Sequence, residues 1–319
     1  MRLTAIRECA VPLHGRIANA VVDFSHHTVS LVVLVSDRHR NGRPLCGVAF
    51  NSIGRFAQSG ILRERMIPRL LAADPQRLLR ADGSGLDPPA GARIAMQDEK
   101  PGGHGDRAGA VAALELAAWD LDAKLADAPA WAHIAATLGT RPHRDGVPVY
   151  AAGGYYDPAD SVARLRDELA GYRDRGYDAF KIKIGGAPLA DDLRRVEAAI
   201  AVAGSADRVA VDANGRFDRA AARAWGDALR GFGLRWYEEP VDPLDYAALA
   251  AVARHYPGAL ATGENLFSAI DAANLLRFGG LRPDRDVLQM DPGLAYGLTE
   301  YLAILAHAEA AGFPRARCI

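Results

Sequence analysis

Charged side chains recur at the ends of short apolar runs in the second half of the sequence, in a pattern suited to metal-assisted proton transfer. Lys181 and Lys183 stand in K-I-K, Asp212 and Asn214 in V-D-A-N, Glu238 and Glu239 in E-E-P, Glu264 and Asn265 in G-E-N, and Asp291 in M-D-P. Residues two apart in a strand share a face, so the two lysines point one way, as do Asp212 and Asn214. If that way is inward, two ammonium groups and at least three carboxylates meet in one pocket. Carboxylate oxygens from successive strands suit a hard divalent cation such as Mg²⁺, which keeps places for water or a substrate oxygen. No cysteine and no close histidine pair offers a softer donor set. Glu238 should share a face with Trp236 and Glu239 with Tyr237, so only one of the two glutamates can be a direct ligand. A lysine of ordinary pKa near ~10.4 is a poor base at neutral pH. A second ammonium and a divalent cation beside it lower that value. Such a lysine could take a proton α to a carboxylate while the cation stabilises the enediolate. Taken singly, each carboxylate reads as a strand-end salt bridge; the K-x-K pair favours the metal. Asn214 reads equally as a partner of the site or as a turn former.

These groups need elements to position them. The runs VPVYAAGG, AFKIKIGG, RVAVDANG, RWYEEPVD, ALATGENL and VLQMDPGL begin near Val147, with centres about 25–30 residues apart and Ala/Leu/Arg-rich helical stretches between most of them. Strand–helix repetition at this period implies parallel strands joined by right-handed crossovers. ARCI, at 316–319, would start a seventh strand. A doubly wound open sheet is the competing architecture; a barrel is preferred because catalytic groups collect at the C-terminal ends of barrel strands. Before this region, Leu3–Val11, Thr28–Ser36 and Leu45–Asn51 read as a small antiparallel sheet. Gly60–Ala73 reads as helix, Arg80–His104 as loop or short helix, and a long helix begins near Asp106, which could cap it. The organisation expected is a first domain over 1–130 and an α/β barrel over 146–319.

The 319 residues are half hydrophobic with a formal net charge of −1, enough apolar content for a large core and no basic density for nucleic acid. Cys9, Cys46 and Cys318 make no disulfide framework and fit a reducing, cytoplasmic setting. Apolar runs are too short for a membrane span, and the N-terminal segment lacks a signal-peptide core. GHGDRA at 103–108 follows a loop rather than a strand, which argues against a dinucleotide site. His26, His27 and His104 read as solvated or loop-bracing, and Tyr155 and Tyr156 as pocket or rim aromatics.

K-I-K, V-D-A-N, E-E-P and G-E-N, in this order and spacing, resemble the mandelate racemase subgroup of the enolase superfamily. The resemblance implies an α+β capping domain on a modified (β/α)₇β barrel. It implies Asp212, Glu238 and Glu264 as Mg²⁺ ligands, Lys183 as the base and Lys181 as a contact of the substrate carboxylate. NAVVDFSHHTVSLV, FNSIGR, DEKPGGHGDR, YAAGGYY, MDPGLAYGL and PRARCI extend the similarity, over most of the chain, to the D-tartrate dehydratases. That likeness implies conversion of D-tartrate to oxaloacetate, with Asn19 and Lys100 of the cap loops on the substrate. It also implies Asp291 as the residue orienting a histidine acid, and self-association into a homo-oligomer.

Two departures qualify these expectations. In the family the acid lies in a Pro-His-Gly-Gly-His run directly after the arginine-cysteine-isoleucine strand, whereas this sequence runs to Ile319. The resemblance therefore implies a truncated chain, with the acid, the eighth strand and the C-terminal segment of the cap outside it. His307 lies in a helical stretch before the strand and is no substitute. Ile53 replaces a family asparagine and cannot donate a hydrogen bond to substrate. The alternatives are a dehydratase of another acid sugar or diacid, and a non-catalytic remnant that binds Mg²⁺ or assembles with intact subunits.

Overall fold

The computed structural model describes residues 1–15, 17–141, 146–156 and 161–319. Strands β1 (Leu3–Pro12), β2 (Thr28–Arg40) and β3 (Arg43–Phe50) form an antiparallel sheet in that order. The alternation in TVSLVVLVS decides which face is covered. Ser30, Val32, Leu34 and Ser36 are buried, and the two serines are satisfied by Glu8 and by the Leu45 carbonyl. The covering elements are the helices α1 (Ser59–Ile61), α2 (Ile67–Ala72), α3 (Pro88–Ala95) and α4 (Asp106–Leu125), with Leu62–Met66 a π-helical link between α1 and α2; α5 (Ala130–Thr137) packs on α4. Alanine dominates the buried positions of α4, which lets the sheet come very close. A Cβ on Gly47 of β3 would lie 2.0 Å from the Ala117 carbonyl oxygen, so glycine is obligatory there. Gly105, not Asp106, is the N-cap of α4; Asp106 is the first helical residue, where its charge still suits the positive end of the helix.

The second region alternates strand and helix: β4 (Ala151–Gly153), α6 (Ser161–Asp174), β5 (Phe180–Lys183), α7 (Leu189–Ala203), β6 (Val209–Asp212), α8 (Arg219–Leu229), β7 (Trp236–Glu238), α9 (Tyr246–His255), β8 (Leu260–Thr262), α10 (Ala269–Phe278), β9 (Val287–Leu288) and α11 (Leu298–Ala310). All six strands are parallel and each pairs with its sequence neighbour, the arrangement of a barrel rather than of a doubly wound sheet. ARCI contributes a parallel bridge from Cys318 to Leu288. Asp218, Asp245 and Ser268 cap α8, α9 and α10 with side-chain oxygens on backbone N–H groups. Outward strand residues such as Ile182, Val211 and Tyr237 pack with helix residues such as Val196, Leu229 and Val252 in one large core. Val32, Leu34, Met66, Leu114 and Leu121 centre a separate core under the antiparallel sheet.

One buried carboxylate joins the two regions. Glu115, on α4, accepts from Leu298 N–H at 2.9 Å, Thr299 N–H at 3.1 Å and Thr299 Oγ1 at 2.5 Å. It thereby supplies the N-terminal cap that Gly297 cannot give α11. Trp119 Nε1 donates to the same carboxylate at 2.9 Å. Burial raises the Glu115 pKa, and these hydrogen bonds only partly pull it back. The folded chain then holds this proton at pH values where the unfolded chain has released it. Stability from this group falls as pH rises from the ordinary carboxyl range through the raised value. Urea melts should show Glu115→Ala destabilised by about 2 kcal/mol or more, through orphaned donors. Glu115→Gln should lose that part of the pH slope; an unchanged slope would count against the assignment.

Candidate metal and proton-transfer site

Strand register places the charged side chains in one row. Lys183 pairs with Asp212 across β5 and β6, and Asp212 with Glu238 across β6 and β7. Glu264 follows β8 by one residue beyond Gly263, whose φ of +118° is open to glycine alone. A carboxylate oxygen of each of Asp212, Glu238 and Glu264 lies within 4.8 Å of the others. Asp212 and Glu238 are fully buried, while Glu264 is half-buried.

A cationic group already stands among them. The Lys181 ammonium contacts Glu238 Oε1, lies 3.4 Å from Asp212 Oδ2 and lies 3.8 Å from Glu264 Oε2. Lys183 donates to Asp212 Oδ2 at 2.6 Å, with its ammonium 5.5 Å from the Tyr155 ring centroid. The pocket is thus shaped for positive charge and offers only hard oxygen donors, which fits a divalent cation of the Mg²⁺ type. Neighbours hold the carboxylates in place. Asn214 donates from its backbone N–H to Asp212 Oδ1 at 2.8 Å and from Nδ2 to Oδ2 at 3.3 Å. Trp236 Nε1 and Gln289 Nε2 donate to Glu238 Oε2 at 2.8 and 2.9 Å.

The electrostatics follow from burial and from an excess of carboxylates over ammonium groups. Burial first, then the charges of Asp212 and Glu264, push Glu238 up to about 8 even with Lys181 beside it. Burial and the Lys181 charge both work to lower the Lys183 pKa, as the paired-lysine expectation requires. The ion pair and hydrogen bond to Asp212, with Glu264, outweigh them and hold Lys183 above its ordinary value. The expected fall of the Lys183 pKa is therefore not a product of the protein groups by themselves. For Lys181, burial again opposes the charge, and Glu238, Asp212 and Glu264 overcome it.

The structure separates the sequence-derived candidates. Lys181, Lys183, Asp212, Glu238 and Glu264 converge. Asn214 has φ +48° and is a turn residue gripping Asp212, because strand β6 ends at Asp212 and the two-residue alternation ends with it. Glu239 departs from the alternation for the same reason. With φ +37° it does not continue Tyr237's face, and its carboxylate takes a 2.7 Å hydrogen bond from Asn265 Nδ2 beside the site. Asp291 holds the turn after β9 through Gly293 N–H at 2.6 Å and shares a cleft with Ile53. Asn19 spends its side-chain oxygen on Val21 and Val22 N–H groups, but its loop reaches the barrel mouth, where the Ala18 carbonyl accepts from Tyr156 N–H at 3.1 Å. Lys100 is exposed and lines a different cavity, of about 370 Å³, with Arg93, Arg107 and Tyr296 and with none of the convergent five. Tyr156 braces Asp192, whereas Tyr155 faces Lys183. His307 is exposed on α11.

Three neighbours escaped the sequence reading. Gln289 stands two residues before Asp291, so the same-face rule could have found it. Tyr150 and Arg55 carried no such signal: Tyr150 stacks edge-on against Trp236, and Arg55 arrives from the cap loop.

Residues 164–317 match the family described as Enolase C-terminal domain-like. L-talarate/galactarate dehydratase of Salmonella typhimurium LT2 is 30% identical over 278 residues, covering 86% of this chain and 64% of that protein. Curated relatives include dehydratases and cycloisomerases, and the chain spans 46% to 64% of the length of five of them. Among solved structures, a racemase from Streptomyces coelicolor A3(2) with bound magnesium superposes with TM-score 0.79 at 25% identity, covering 98% of this chain and 82% of that one. L-talarate dehydratase from Polaromonas sp. JS666, complexed with Mg and L-glucarate, gives TM-score 0.72 at 27% identity, covering 98% and 79%.

A hard divalent cation should stabilise the fold by relieving the crowded carboxylates. At one hundred times its dissociation constant the gain is about 2.7 kcal/mol. A thermal melt with and without Mg²⁺ should show this as a raised Tm, and Asp212→Asn should lose the increment. An increment that persists in Asp212→Asn would place the ion elsewhere.

Proposed function

We propose that this chain is a member of the enolase superfamily that binds Mg²⁺ through Asp212, Glu238 and Glu264 and removes the α-proton of a hydroxy acid in a dehydration. The observation that carries the reading is Lys183 Nζ, 2.6 Å from Asp212 Oδ2 at the edge of the carboxylate triad. When bound, Mg²⁺ supplies Lewis-acid stabilisation of the charge that develops on the substrate carboxylate. Lys181, between the three carboxylates and that charge, is the protein's own cationic contact for the substrate. Lys183 takes the α-proton, and Tyr155 shields its ammonium from water. Asn214, Trp236 and Gln289 fix the carboxylate orientations. Asp291 is proposed to orient the proton donor that expels the β-hydroxyl. Asn19, through its amide nitrogen, is a proposed substrate contact from the cap.

The specific substrate proposed is D-tartrate, giving oxaloacetate; the cap-loop and barrel motifs support it. A second reading, a longer acid sugar such as galactarate, is favoured by Ile53, which is 57% exposed beside Asp291, and by the talarate/galactarate dehydratase relative.

Proton NMR in D₂O tests the chemistry directly. With Mg²⁺, deuterium should enter the α-position of the substrate acid. Lys183→Ala should slow this by about 10²-fold or more, and chelation should stop it. Exchange should accelerate as pH rises, because only the neutral form of Lys183 can take the proton. Absence of both exchange into and dehydration of D-tartrate, galactarate and L-talarate would end the proposal. Exchange confined to the six-carbon acids would remove D-tartrate alone.

A further inference from the structure

Arg55 reaches from the cap to the barrel mouth and has no role in the steps above. Its Nη2 donates to Asn265 Oδ1 at 2.6 Å, and Asn265 Nδ2 donates to Glu239 Oε2 at 2.7 Å. Asn265 directly follows Glu264 and Glu239 directly follows Glu238, so the guanidinium stands beside the metal-binding set. Its carbon lies over the Phe267 ring, 5.0 Å from the centroid, a cation–π contact.

The loop that carries Arg55 is built to hold it there. Buried Asn51 donates from Nδ2 to the Phe56 carbonyl at 2.8 Å and accepts from Ser30 N–H at 2.7 Å. Gly54 and Phe56 take φ of +93° and +58°, and the Phe56 ring packs against the His27 ring, tilted 30° with centroids 4.0 Å apart. Ser52 N–H donates across to the Gly293 carbonyl at 3.4 Å, tying the loop to the turn of Asp291.

What this arginine lacks is an anion. No ion pair to Arg55 exists among the described residues, whereas Arg65, Arg69 and Arg107 in the same cap all converge on Glu99. A guanidinium has five N–H donors in a rigid fork matched to a carboxylate, and here a single hydrogen bond to a neutral amide engages it.

We propose that Arg55 receives the second carboxylate of a dicarboxylate substrate, so that the site selects aldaric acids over the corresponding aldonic acids. The inference rests on the reading under Proposed function and deepens it. The triad and Lys181 take the carboxylate next to the reacting carbon; Arg55, on the cap side of the same mouth, takes the far one.

Galactarate and galactonate make the test, because they differ only in a terminal carboxylate against a terminal hydroxymethyl group. Calorimetric binding to the Mg²⁺-loaded protein and α-deuterium exchange should both favour galactarate. Arg55→Met should cut that preference about 30-fold or more, and Arg55→Lys, which keeps the charge and loses the fork, should fall between. Equal weakening of both acids in Arg55→Met, or an intact preference, would reduce Arg55 to a brace for the loop. Wild-type protein that exchanges neither these two acids nor D-tartrate would overturn the functional reading and this inference together; if D-tartrate alone is exchanged, D-tartrate against threonate makes the same comparison. Wild-type exchange with the preference intact in Arg55→Met would overturn the inference alone.

Discussion

Carboxylates crowded within 4.8 Å of one another inside a protein repel strongly, and much of this structure serves to keep them there. Two ammonium groups from one strand offset part of that repulsion, and the Asn214, Trp236 and Gln289 hydrogen bonds restrain the side chains that would otherwise swing apart. Burial magnifies every term, because charges out of water attract and repel more strongly. An arrangement of this kind is costly in stability and unneeded for packing, which is why it marks a place built for chemistry.

The strain is carried by a rigid frame. Parallel register fixes Lys183, Asp212 and Glu238 side by side without help from any loop. Backbone beyond the strand ends then turns sharply at Asn214, Glu239 and Gly263, each with positive φ. These turns stop the strand alternation at the level where the charges must meet, and they send Glu239 and Glu264 toward the pocket.

The cap is joined to this frame at separate points of different character. Glu115 is a buried joint, a carboxylate that closes the N-terminus of α11. The contact between Arg55 and Asn265 is half-exposed and lies at the mouth. A buried joint holds the regions together, while a polar contact at the rim can respond to a ligand at little cost.

By itself the sequence determined the parallel strand–helix repeat, the antiparallel sheet before it and the five residues that converge on the pocket. Those features are local: two-residue alternation, a recurring period, and charges at strand ends. It did not foresee that Glu239, one residue past the end of β7, leaves the alternation at positive φ, and it placed the cap of α4 one residue late. Only the tertiary structure decided the sign of the Lys183 shift, because that depends on how closely Asp212 approaches against burial and Lys181. It alone brought Arg55 across 210 residues of sequence to Asn265, and set Lys100 beside a different cavity. Contacts between distant segments depend on how whole elements pack, and no spacing along the chain encodes them.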